Sequence, residues 1–176
     1  YREVLTAAKV SRMAQIVRAN DPDHPIGVHQ PVGNNTVFDF PTDPNLKVYL
    51  QQLTSTSPAV AHASVVAAVN IAARRYHVTM AEDNLPQQTL NQQTLRQLAW
   101  AIAMAGGYGL TLREGGPAGG VIELLPEVLF ADCGNVVRFF TQTPYRALAP
   151  ADALAIAGSQ YVLANANRTA FVLYSA

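Results

Sequence analysis

The run Tyr76-His77-Val78-Thr79-Met80-Ala81 constrains this chain most: it is a short strand pattern that stops abruptly at Glu82-Asp83-Asn84. Helical patterns flank it. Upstream, Ser57-Pro58 opens a helix with serine at the N-cap and proline at the first helical position. That helix carries Ala61, Val65, Val66, Val69 and Ile71 and runs to Arg74-Arg75, whose charges suit the negative end of the helix dipole. Downstream, a polar loop over 83–93 leads to a helix from about Thr94 to Ala105, stopped by Gly106-Gly107. A strand between two helices is the unit of a parallel sheet covered by helices.

The same alternation extends in both directions. Residues 3–20 read as an amphipathic helix through Val4, Leu5, Ala8, Met13, Ile16 and Val17, ended by Asp21-Pro22-Asp23. His24 to Gln30 reads as a short strand with a polar end, and Lys47 to Leu53 as another ending near Gln51-Gln52. Tyr108 to Leu112 reads as a further strand, and Arg113 to Gly120 as a glycine-rich loop. Residues 121–130 are apolar and fit no single element type, while Asn135 to Thr141 and Ala149 to Leu154 read as helices. Two last strands, 160–164 and 169–174, are joined by Asn165-Ala166-Asn167-Arg168, a hairpin signal. The fold class expected is therefore α/β: parallel β/α units amounting to about half of a TIM barrel, with a C-terminal β-hairpin. Four parallel strands fall short of the roughly eight that close a barrel. The expected division is 1–155 for the half barrel and 156–176 for the hairpin.

Composition excludes several function classes. Basic and acidic residues balance at 12 each and are scattered, which gives no footprint for nucleic acid or an anionic membrane surface. No apolar run reaches the roughly 18 residues that span a bilayer. Cys133 is the single cysteine, so no internal disulfide or thiolate zinc site is possible, and it reads as a small buried hydrophobe. The four histidines, His24, His29, His62 and His77, show no i, i+4 metal-binding pair, and no cofactor is expected. Charged residues make up only 14% of a chain that is 49% apolar. Part of the surface is thus expected to meet another segment or chain. A half barrel has two open sheet edges, which predicts a homo-oligomer. The opening Tyr1-Arg2-Glu3 lies mid-helix without a starting methionine or a signal-peptide pattern, and reads as a gene fragment.

Four segments carry a family resemblance: 19–29 (Ala19-Asn20-Asp21-Pro22-Asp23-His24-Pro25 onward), Met80-Ala81-Glu82-Asp83-Asn84, Ala99 to Tyr108, and Arg138-Phe139-Phe140 through Leu154. In this order they resemble the C-terminal half of a clan A glycoside-hydrolase-like (β/α)8 barrel. Tyr161 to Ala164 and the terminal strand resemble the start of an appended β-domain like the putative collagen-binding domain of collagenases. The resemblance implies that strands 26–29, 48–52, 77–81 and 108–112 are barrel strands five to eight. It places the nucleophile of a retaining glycoside hydrolase at Glu82, and the acid/base glutamate at the end of strand four, before Tyr1. It implies hydrolysis of a plant, algal or bacterial polysaccharide by a secreted or periplasmic parent, and an inactive fragment. The competing expectation is a non-catalytic carbohydrate-binding or structural module.

On its own chemistry, Glu82 ends a strand backed by apolar residues, where a carboxylate can attack an anomeric carbon if a second carboxyl protonates the leaving oxygen. The alternative is a charge favouring the next helix N-terminus. Asp83 is a poor second carboxyl, because neighbours in a strand point to opposite faces. His29 and Gln51 end strands and can hydrogen-bond a sugar or serve local structure. Asn84 can orient Glu82 or cap a turn, and Glu114 can reach substrate or stay solvated. Trp100 and Tyr108 read as packing residues.

Overall fold

A computed structural model describes residues 5–30, 38–53, 55–83, 91–109 and 127–175. Helix α1 (Ala7–Asn20) is followed by strands β1 (Ile26–His29) and β2 (Leu46–Leu53). Helix α2 (Pro58–Ala72), strand β3 (His77–Asp83), helix α3 (Gln92–Met104) and helix α4 (Glu127–Thr141) come next. Strands β4 (Leu148–Pro150), β5 (Tyr161–Asn165) and β6 (Phe171–Tyr174) complete the order.

Local chemistry sets the helix ends. Ser57 caps α2 and Pro58 is its first residue; Asn91 caps α3, its Oδ1 accepting from the Thr94 N–H at 2.9 Å. α2 stops at Ala72. Ala73 and Arg74 take left-handed backbone at φ 45° and 64°, and the Arg75 guanidinium donates to the Ala72 and Ile71 carbonyls that the helix leaves open. Gly106 ends the α3 turn at φ 81°, a conformation that favours glycine.

β1, β2 and β3 form a parallel sheet in that order. The sheet continues past β3: the Tyr108 N–H donates to the Val78 carbonyl at 2.8 Å, and the Met80 N–H to the Gly109 carbonyl at 3.3 Å. The fold is thus mixed α/β, with the alternation of strands and helices that the sequence pattern predicts. The register sorts side chains by face, because partners across parallel strands point the same way. Val28, Tyr49 and Val78 form one row, and Gln51 and Met80 another; all five are buried. They pack with Val10 and Ala14 of α1, Ala61, Val65 and Ala68 of α2, and Leu98 and Ile102 of α3. Phe38 lies against Tyr49 and Tyr76, with ring centroids 5.1 and 4.6 Å away. The opposite face carries the row His29, Leu50, Thr79, all half-buried.

The second sheet is antiparallel, in the order β4, β5, β6, and rests on α3 through Tyr161, Leu163, Leu148, Ala101 and Met104. The predicted hairpin is present. Asn165 Oδ1 accepts from the Thr169 and Ala170 N–H groups, and Arg168 takes φ 54° to close the turn. Two expectations change. α4 begins at Glu127, eight residues before the predicted start, and continues through Gly134; a β-carbon there would meet nothing within 4 Å. An interior glycine costs a helix only about 1 kcal/mol, less than burial of an apolar face supplies. The predicted helix over 149–154 is instead β4 followed by a short 3-10 turn, Asp152–Leu154. Pro150 cannot donate within a helix, and an edge strand accommodates it.

Tyr145 fastens the turn after α4 to the end of α3. Its hydroxyl lies 2.7 Å from the Ala103 carbonyl oxygen and 2.8 Å from that of Gly107. Burial, and then the neighbouring Tyr108, push this phenol's ionisation well above its ordinary value. A raised folded value gives stability that is complete below the unfolded value of about 10 and is lost as pH rises toward the folded one. Unfolding free energy is therefore expected to fall above about pH 10. Tyr145→Phe should flatten that fall while costing about 1 kcal/mol at neutral pH. Urea titrations of both proteins between pH 7 and pH 11 check this, and parallel pH profiles would contradict it.

Candidate functional site at the strand ends

In parallel sheets, groups that act on ligands gather at the C-terminal ends of the strands. Here those ends carry His29-Gln30, Gln51-Gln52 and Glu82-Asp83. The register shifts between Gln51 and Gln52: Gln51 stands opposite Met80, but Gln52 stands opposite Glu82 and Leu53 opposite Asp83. Ala81 is thus left without a partner in β2. An irregularity of this kind redirects a strand end and recurs beside functional sites. For Glu82 the backbone is described; Asn84 and Glu114 lie outside the described residues.

The other predicted ligands differ in accessibility. His29 is half-buried at the end of β1, on the sheet face opposite the helices. Gln51 is fully buried on the helix-covered face, where its Nε2 donates to Ser64 Oγ of α2 at 2.7 Å. The Gln51 amide is thus held inside the fold. Its Oε1 has no hydrogen-bond partner among the described residues. Gln52, one step on and across the register shift, is the strand-end amide paired in register with Glu82. Gln30 is 3% exposed and its Oε1 accepts from the Asp39 N–H at 2.8 Å, so it anchors the segment that follows β1.

That segment brings in a carboxyl that the sequence reading passed over. Burial raises the Asp39 pKa above its ordinary value. Asp39 lines a shallow recess with Ala7, Ser11 and Arg12 of α1. No signal in the sequence marks Asp39, because its raised pKa comes from burial in the folded chain.

A second polar cluster lies deep in the fold. His62 of α2 is 5% exposed. Its Nδ1 is 2.8 Å from the Ala101 carbonyl oxygen and its Nε2 is 2.8 Å from Asp152 Oδ2. The ring stacks on Tyr161 at 3.8 Å, and Asp152 Oδ1 accepts from the Val162 N–H at 2.9 Å. One imidazole thus joins α2, α3, the 152–154 turn and β5, a clasp between the two sheets' layers. Trp100 behaves as the packing residue expected, stacked on Tyr174 and edge-on to Phe139. Cys133 is half-buried, and burial followed by the charge of Asp132 raises its thiol pKa.

Among the described residues no cluster of three His, Cys, Asp or Glu side chains could hold a metal ion, and no helix is long and apolar enough to cross a membrane. Comparison with known proteins gives no match: no protein-family model, no curated protein and no solved structure is significantly similar to this chain.

Proposed function

We propose that this chain forms half of a glycoside-hydrolase-like barrel and that Glu82 serves as the nucleophile toward a polysaccharide. The observation that carries the reading is the register shift that sets Glu82 opposite Gln52 at the C-terminal edge of a parallel sheet. The half-buried His29 imidazole at a neighbouring strand end is a group suited to hydrogen-bond sugar hydroxyls, and the sheet face bearing His29, Leu50 and Thr79, opposite the helices, is the one a barrel turns inward. In the retaining reaction Glu82 attacks the anomeric carbon while an acid protonates the departing oxygen. The same group, now the conjugate base, takes a proton from water, whose oxygen bonds to the anomeric carbon as the bond to Glu82 breaks, and this releases the sugar. That acid must come from beyond the ends of β1 and β2, which carry no carboxyl.

The lack of a carboxyl at those two ends favours a second reading, in which the same edge binds carbohydrate without cleaving it. Both readings place the sugar at one edge. Titration of the ¹⁵N-labelled chain with a panel of plant, algal and bacterial oligosaccharides should shift the amide signals of 28–30, 50–53 and 79–83. Shifts confined to other regions, or none at millimolar sugar, would contradict both.

A further inference from the structure

A cleft of about 290 Å³ opens at the other end of β3, between the C-terminus of α2, the Gly106 turn and β4. Its walls are apolar, with Val69, Val78 and Leu148 among them, and Tyr108 stands edge-on to His77 at 4.8 Å. Two exposed arginines, Arg74 and Arg146, line this cleft from segments far apart in the chain, and among the described residues no aspartate or glutamate lines it. Neither arginine has a hydrogen bond or ion pair among the described residues, whereas Arg12, Arg18 and Arg75 are each occupied. The left-handed Ala73-Arg74 pair turns the chain at this rim, and Gly106 borders it in a left-handed conformation, φ 81°, that favours glycine.

We propose that this cleft binds a small aryl carboxylate, its ring between the apolar walls and its carboxylate between Arg74 and Arg146. The volume stands at the low end of ligand sites, about 300–1,000 Å³, and suits one or two fused rings. A guanidinium matches a carboxylate with two parallel N–H donors, and a site with no acidic residue in its lining adds no opposing charge. The inference is independent of the sugar reading, which concerns the opposite end of the strands.

The probe is 2-naphthoate, with 2-naphthamide as its uncharged counterpart and inorganic phosphate as an anion without a ring. In ¹H–¹⁵N spectra, 2-naphthoate should shift the amides of Val69, Asn70, Arg74, His77 and Arg146 saturably, with a Kd of about 1 mM or tighter. Naphthamide and phosphate should each bind at least about tenfold more weakly, since each lacks one half of the recognition. The R74Q/R146Q variant, changed only at exposed side chains, should lose about tenfold for 2-naphthoate and nothing for naphthamide. Equal binding of acid and amide, an unaffected variant, or shifts located elsewhere would overturn the proposal. Phosphate binding as tightly as naphthoate would overturn the ring's part in it.

Discussion

His62→Ala is expected to lower the unfolding free energy by about 2 kcal/mol. Removing the imidazole takes one of two donors from the Ala101 carbonyl, which keeps the Ala105 N–H at 3.0 Å, and the lost bond costs about 1 kcal/mol. It also opens a void against the Tyr161 ring, 3.8 Å away in the native stack, and the lost packing adds about 1–2 kcal/mol. The Asp152 contact contributes less, because that carboxylate is 35% exposed and water replaces the lost partner. Asp152→Asn should therefore cost only about 1 kcal/mol, since the amide oxygen still accepts from the Val162 N–H. Urea unfolding of the two variants beside the parent protein separates these effects. A His62→Ala loss below about 1 kcal/mol would mean that the clasp does not tie the second sheet to the helices. The hydrogen-exchange pattern gives an independent reading: amides of β4 and β5 should lose protection in His62→Ala before those of β2 and β3.

The elements read correctly from sequence are those whose chemistry is local. Ser57-Pro58 opens α2, Gly106 closes the α3 turn, and Asn165 to Arg168 makes the hairpin, because each signal acts within a few residues of itself. The misread elements depend on distant partners. The segment 148–150 becomes a strand because β5 lies beside it, and α4 runs through Gly134 because its apolar side packs on Ala99 and Ala103 of α3. Strand ends were legible as positions and not as directions. Simple alternation cannot tell that Gln51 turns into the helix layer toward Ser64, since the register shift that follows is set by β3. The His62 clasp was illegible for the same reason. His62 looks like one polar residue in an apolar helix, and its carboxylate partner is 90 residues away.

The placement of Glu82 joins a local signal to a tertiary one. The strand pattern and its abrupt polar end are visible in the sequence, while the pairing with Gln52 comes from the sheet. The catalytic reading rests on the carboxylate itself. Glu82→Gln keeps the size of the side chain and its hydrogen-bonding capacity, but an amide is a far poorer nucleophile toward an anomeric carbon. Hydrolysis of the responsive polysaccharide by the full-length protein is the direct test, with unfolding midpoints measured alongside to show that both proteins are folded. The account predicts that Glu82→Gln lowers kcat by at least about a thousandfold, equivalent to about 4 kcal/mol of transition-state stabilisation, with the midpoint unchanged. A folded Glu82→Gln protein that hydrolyses within about tenfold of the parent would contradict it.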